Sequence, residues 1–153
     1  MHKILMVCLG NICRSPIAEG VLQSKVNSAL VFVDSAGTAA YHIGNAPDKR
    51  SIYIASKYNV NLKNQKARKF RVTDFENFDT IYAMDESNYQ NILKLAKNNA
   101  HIAKVKLILN EVNPLSNHSV PDPYYGGTQG FEKVYMMLEE ACSIIAEKLQ
   151  NER

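Results

Sequence analysis

A short run near the N-terminus joins a nucleophile to an anion trap: Cys8-Leu9-Gly10-Asn11-Ile12-Cys13-Arg14-Ser15-Pro16. It follows an apolar stretch, Ile4-Leu5-Met6-Val7, that reads as a buried strand. It precedes Ile17, Ala18, Val21 and Leu22, which recur with helical spacing. A loop between a strand end and a helix start offers free backbone N–H groups and the positive end of the helix to an anion. Gly10 and Asn11 are residue types that tolerate the positive φ such a nest requires. Arg14 adds a planar fork matched to two phosphate oxygens. Cys8, at the base of the cradle, sits where positive potential favours the thiolate. Leu9, Gly10, Asn11, Ile12, Cys13 and Arg14 are thus the expected phosphate-binding residues. The chemistry is phosphoryl transfer. Cys8 attacks phosphorus in line, the loop amides and Arg14 hold the equatorial oxygens, and water hydrolyses the resulting cysteinyl-phosphate. The Ser15 hydroxyl can donate to the Cys8 sulfur. The cradle supplies the positive field, so no metal or other cofactor is expected.

The leaving oxygen needs a general acid, a contribution of about 10²–10⁴ in rate. Asp122 is the candidate, in Val120-Pro121-Asp122-Pro123-Tyr124-Tyr125-Gly126-Gly127. Prolines on both sides restrict where its carboxyl can point. Without Cys8 the same residues would read as an ordinary Asp-Pro turn. Tyr124 and Tyr125 can form an aromatic wall for a ring-bearing substrate.

The elements that position these groups alternate. Expected strands are Ile4–Val7, Leu30–Val33, Thr80–Met84 and Val105–Leu109. Helices follow, carrying Ile17 to Leu22, then Ile52 and Ala55, then Tyr89, Ile92, Leu93 and Ala96. A last helix from about Gln129 places Val134, Leu138, Ala141, Ile145 and Leu149 on one face. Ser15 is placed to cap the first helix with Pro16 in its first position, and Asp48 to cap the second. Glu19 reads as an acid suited to the first helix's dipole. Asn110 to Gly127 reads as one long loop. Repeated strand–helix units predict an α/β domain with a parallel sheet covered on both faces, binding its ligand beyond the carboxyl ends of the strands.

The chain has 153 residues, fitting one domain over 1–153, with 46% hydrophobic and 22% charged residues. Disorder, collagen-like repeats and disulfide miniproteins are excluded. The formal charge of +3 suits an anionic substrate and is too small to argue for nucleic acid. Three cysteines, Cys8, Cys13 and Cys142, with no signal-like segment predict free thiols in the cytoplasm. No apolar run approaches the ~18 residues of a membrane span. Cys142 reads as core. The basic cluster Lys63, Lys66, Arg68, Lys69 and Arg71 reads as a solvated loop. The four histidines show no ligand spacing with any cysteine, so no metal site is expected.

Taken together, Cys8 to Pro16, Asp34-Ser35-Ala36-Gly37-Thr38, Ala83-Met84-Asp85-Glu86-Ser87-Asn88 and Asp122-Pro123-Tyr124-Tyr125 resemble the low-molecular-weight protein tyrosine phosphatases over nearly the whole chain. The resemblance implies a single-domain α/β/α sandwich with a four-stranded parallel sheet of order 2-1-3-4. It implies Cys8 as nucleophile, Arg14 as phosphate binder and Asp122 as general acid, with Asn11, Ser15 and Ser35 supporting the loop. Cys13 matches the family's second cysteine, which pairs with the nucleophile on oxidation and shields it. Tyr41 falls at a wall position opposite Tyr124. Gln65 stands where mammalian members place a His, and its amide is expected to replace that residue's hydrogen bonds. The implied substrate is a phosphotyrosine protein, a bacterial tyrosine kinase among the candidates, and the implied state is a monomer or weak dimer.

Three other readings share the early cysteine. Protein arginine phosphatases of the same family carry Thr where Ile12 stands and Phe where Tyr124 stands. Ile12, Tyr41, Tyr124 and Tyr125 therefore form the expected wall for a phosphotyrosine ring. An arsenate reductase needs further relay cysteines, and Cys142 is on an apolar face. A phosphate-dependent adaptor has no use for Cys8, Arg14 and Asp122 together.

Overall fold

Alternation along the first strand divides the core in two. The computed structural model describes residues 1–39, 41–124 and 127–151, the side chain of Thr128 excepted. Strand β1 (His2–Cys8) is buried from Ile4 onward. Ile4, Met6 and Cys8 join one apolar cluster, and Leu5 and Val7 join the other. That is the period-two pattern of a strand covered on both faces.

The sheet has four strands in the order β2-β1-β3-β4. They are β1, β2 (Val31–Gly37), β3 (Thr80–Ala83) and β4 (Val105–Leu107), and all pairings are parallel. The expected class and order are both observed. Helix α1 (Arg14–Lys25) and the long α6 (Gly127–Asn151) pack together on the first face. Ile17, Val21 and Leu22 of α1 meet Val134, Leu138 and Ile145 of α6 there. Full burial of such side chains stabilises by about 1.5–3 kcal/mol each. α2 (Lys49–Lys57) covers the same side. The second face carries Phe70, Phe75, Phe78 and Ile92 over Leu5, Val7 and Ile81, from α3 (Asp74–Asn77), α4 (Glu86–Leu93) and their flanks, with α5 (Asn99–Ala103) beside β4.

Several boundaries differ from the pattern reading. β2 runs on to Gly37, because Asp34, Ser35 and Ala36 keep register with Leu5, Met6 and Val7. Polar and small residues hid that half of the strand. β3 stops at Ala83 and β4 at Leu107, where a 3-10 turn, Ile108–Glu111, takes over the start of the expected loop. Helix α4 ends at Leu93, short of Ala96. α3 and α5 span too few residues to show a period. α6 starts at Gly127, before Gln129. Asp48 caps α2 as expected, accepting from the Arg50 N–H at 2.8 Å.

β2 is an edge strand, and its outer side is partly covered by a side chain. Gln23 on α1 donates from Nε2 to the Val31 carbonyl (3.2 Å) and accepts at Oε1 from the Val33 N–H (3.0 Å). Among the described residues, no helix is long and apolar enough to cross a membrane.

Candidate active site

The loop after β1 is held from outside by its carbonyls. The Cys8 and Leu9 carbonyls accept from Thr38 and Ala39 N–H, both at 2.9 Å, and the Ile12 carbonyl accepts from Asp48 N–H at 2.8 Å. Among the described residues, no N–H from Leu9 to Cys13 has a partner within the protein. Outward carbonyls and uncommitted amides are what an anion cradle requires. Asn11 takes the left-handed conformation, φ 57°. Gly10 does not, and its smallness serves another purpose. A Cβ there would come within 3.0 Å of the His42 ring. Gly37 is required on the other flank, since a Cβ would lie 2.7 Å from the Leu9 carbonyl oxygen.

Helix α1 begins at Arg14 with Cys13 before it and no side-chain cap. The expected Ser15 cap is therefore not formed, because its hydroxyl is committed elsewhere. Ser15 Oγ lies 3.0 Å from Cys8 Sγ and accepts from Asn11 Nδ2 at 2.8 Å. The Asn11 amide also donates to Ser35 Oγ (3.0 Å), and its Oδ1 accepts from Arg68 N–H (3.0 Å). A backbone N–H only donates, which fixes the orientation of this amide. The Ser15 hydroxyl keeps its own proton for donation to a Cys8 thiolate. The expected support trio Asn11, Ser15 and Ser35 is thus gathered in one network, with Asn11, Ser15 and Ser35 all buried.

Arg14 is only 3% exposed. Its Nη1 donates to Asp85 Oδ2 (2.6 Å) and to the Val120 carbonyl (2.9 Å). Its Nη2 lies 3.8 Å from Asp122 Oδ2. Asp85 caps α4 with its other oxygen, so two elements fix one guanidinium. Asp122 Oδ1 accepts from Tyr124 N–H at 3.0 Å. The loop residues Cys8 to Arg14, Asn11 excepted, line a cavity of about 340 Å³ together with Tyr41, His42, Asp122 and Tyr124. The expected nucleophile Cys8, phosphate binder Arg14 and acid Asp122 all line that cavity, while the Asn11 side chain turns away into the supporting network. Tyr125 lies outside the described residues.

Pattern reading missed several residues. His42 lines the cavity. Asp85 orients Arg14. Arg68, placed above in a solvated loop, is clamped by Asp34 (3.2 Å) and Asp74 (3.1 Å) while its backbone holds Asn11. Gln65 does not enter the network: its Nε2 donates to the Pro16 carbonyl at 3.0 Å. Cys13 is buried, and burial, with Asp48 and then Cys8 nearby, pushes its thiol up to about 12. Cys142 packs in the core with its thiol facing the Ala18 carbonyl.

Glu19 was read as a dipole acid. It lies past the first turn, and its Oε1 accepts from Ser35 Oγ at 2.6 Å. Burial pushes its carboxyl up to about 7, the Ser35 hydrogen bond opposing this. The folded chain therefore binds this proton more tightly than the unfolded chain. The group costs nothing below about pH 4.5 and progressively more up to about pH 7, a total near 3 kcal/mol. Glu19→Gln is expected to gain about 2 kcal/mol on wild type between pH 5 and pH 8. Urea unfolding of both proteins at the two pH values measures it. A difference independent of pH would remove Glu19 as the titrating group.

A buried cysteine on a phosphate-type loop, an arginine fixed by carboxylates and a second carboxyl at the cavity rim define a cysteine-dependent phosphatase architecture. The family model for low molecular weight phosphotyrosine protein phosphatase matches residues 3–153, and the chain belongs to that family. It is 43% identical to the low molecular weight phosphotyrosine protein phosphatase of Schizosaccharomyces pombe, with 89% of each chain covered. It is 41% identical to that of Gallus gallus, over 97% of this chain and 96% of the relative. Among solved structures, a protein tyrosine phosphatase from Entamoeba histolytica, with Hepes in the active site, aligns with a TM-score of 0.92 at 36% identity, over 99% and 98% of the chains. Wzb of Vibrio vulnificus, in complex with benzylphosphonate, aligns at 0.87 with 29% identity, over 96% and 98%.

Proposed function

We propose that the chain hydrolyses phosphotyrosine in proteins through a cysteinyl-phosphate. The observation that carries this is the meeting of Cys8, Arg14 and Asp122 at one cavity, with the Ser15 hydroxyl 3.0 Å from the Cys8 sulfur. The Cys8 thiolate attacks phosphorus, and the bond to the phenolic oxygen breaks. The departing oxygen takes the Asp122 proton. The amides of Leu9 to Arg14 and the Arg14 fork bind the equatorial oxygens as charge spreads over them. Water then gives a proton back to Asp122 and attacks phosphorus, releasing phosphate and the thiolate, which the Ser15 proton stabilises.

Ile12, Tyr41 and Tyr124 serve as the wall for the tyrosine ring. The Vibrio relative forms a complex with benzylphosphonate, an aryl-bearing phosphate analogue, and this supports an aryl substrate here. Cys13 is the partner that traps oxidised Cys8: both sulfurs belong to the loop that lines the cavity, and the Cys8 sulfenic acid condenses with the Cys13 thiol to a disulfide and water, against the burial that holds that thiol protonated. The three free thiols suit action in the cytoplasm. A phosphorylated tyrosine kinase fits as substrate, and the enzyme acts as a monomer or weak dimer.

The test is phosphate release from matched phosphotyrosine, phosphoserine and phosphoarginine peptides with EDTA present. Release from phosphotyrosine alone is expected. Preference for phosphoarginine would overturn the role given to Ile12 and Tyr124.

A further inference from the structure

Behind Tyr124, which lines the cavity, lies a cation that the phosphate chemistry leaves unused. Arg50, on the first turn of α2, forms a two-pronged ion pair with Asp48. Its Nε donates to Oδ1 at 3.0 Å and its Nη2 to Oδ2 at 2.9 Å. An exposed ion pair of neighbours ordinarily does little. This one is anchored, because the Asp48 N–H is itself bonded to the Ile12 carbonyl of the phosphate loop. The guanidinium also lies against two rings, 5.4 Å from the Tyr124 centroid and 4.5 Å from that of Phe131, both within cation–π range. Phe131 is buried on α6. Arg50 thus ties the phosphate loop to both α6 and the segment that carries Asp122.

Three described contacts bear on that segment near the carboxyl. Tyr124 N–H holds Asp122 Oδ1, Arg14 Nη2 stands 3.8 Å from the other oxygen, and the Asp122 side chain is 43% exposed. Pro123 rests near Gly130 of α6. Because the Tyr124 N–H holds Asp122 Oδ1, a shift of Tyr124 carries the carboxyl with it.

We propose that Arg50 is a positioning residue for Asp122: locked to Asp48, its guanidinium seats the Tyr124 ring and so holds the proton donor at the leaving oxygen. This rests on Asp122 being the general acid. Arg50 is not among the described residues that line the cavity, so its action on the reaction runs through Tyr124. Its loss disturbs proton donation and leaves phosphate binding intact.

The experiment measures kcat/KM, which reports the step that breaks the P–O bond, on 4-nitrophenyl phosphate and phenyl phosphate. The proteins are wild type, Arg50→Met, Arg50→Lys, Asp122→Asn and the double variant Arg50→Met/Asp122→Asn. Misplacing a catalytic group by about 1 Å can cost up to 10²-fold. Arg50→Met is expected to lose about tenfold on the poor leaving group, phenol, and less than about twofold on 4-nitrophenol. Inhibition by inorganic phosphate is unchanged. Arg50→Lys keeps the charge over the rings without the fork, falls between, and serves if the Met variant fails to fold. In the Asp122→Asn background the Arg50 change adds nothing. Equal losses on both leaving groups, or a full additional loss in the double variant, overturn the proposal. If Asp122→Asn itself shows no leaving-group dependence, the acid assignment fails and Arg50 falls with it. A normal Asp122→Asn response beside an insensitive Arg50→Met overturns the Arg50 proposal alone.

Discussion

Cys8→Ser is expected to lose at least about 10⁴-fold in turnover of phosphotyrosine while still binding inorganic phosphate. A serine hydroxyl at the base of the cradle keeps its proton at neutral pH and is a far weaker nucleophile. The cradle does not depend on the sulfur. Outward bonds from Thr38, Ala39 and Asp48 hold the loop carbonyls, and Asn11 is held by Arg68. The oxygens of phosphate therefore meet the same amides and the same Arg14. Single-turnover phosphate release together with calorimetric phosphate binding measures both halves. Turnover near wild type would move the nucleophile away from Cys8. Loss of phosphate binding as well would show that the sulfur helps build the loop.

Asp122→Asn is expected to lower kcat/KM by about 10²–10³ on phenyl phosphate and far less on 4-nitrophenyl phosphate. The asparagine amide occupies the same volume and can still accept from Tyr124 N–H. What it lacks is a proton acidic enough to transfer. At 1.36 kcal/mol per decade the loss corresponds to about 3–4 kcal/mol of transition-state stabilisation. A good leaving group departs as its anion and needs little of it. Equal losses on both substrates would make Asp122 a binding residue. The stopped-flow yield of aryl alcohol in the first turnover gives the same information without the hydrolysis step.

What could be read along the chain was what the chain itself places together. Cys8, Asn11, Arg14 and Ser15 are neighbours in sequence, and the strand before them and the helix after them have strong periods. Asp122 was visible because prolines flank it. The supports of these groups come from far away. Asp85 reaches Arg14 from the cap of α4, and Glu19 reaches Ser35 from the middle of α1. The Arg68 side chain reads as one more surface cation until Asp34 and Asp74 close on it. Ser15 satisfied a capping pattern and was drawn off it by the sulfur, so a local rule lost to a tertiary contact. The second half of β2 lacks branched residues and is a strand only because β1 lies beside it.

The Gln23 amide against β2 has a consequence for behaviour in crowded solution. An open sheet edge is a template on which another chain can add a strand, the first step toward domain swapping or aggregation. The Val31 carbonyl and the Val33 N–H are the pair that an incoming strand would bond, and Gln23 already satisfies both. A side chain thus imitates one residue of a fifth strand and closes the template to strangers. Leu30 and Phe32, both partly exposed near that edge, would otherwise give such an addition an apolar incentive. The helix that starts at the phosphate cradle, two turns further on, also keeps the molecule from being recruited into someone else's sheet.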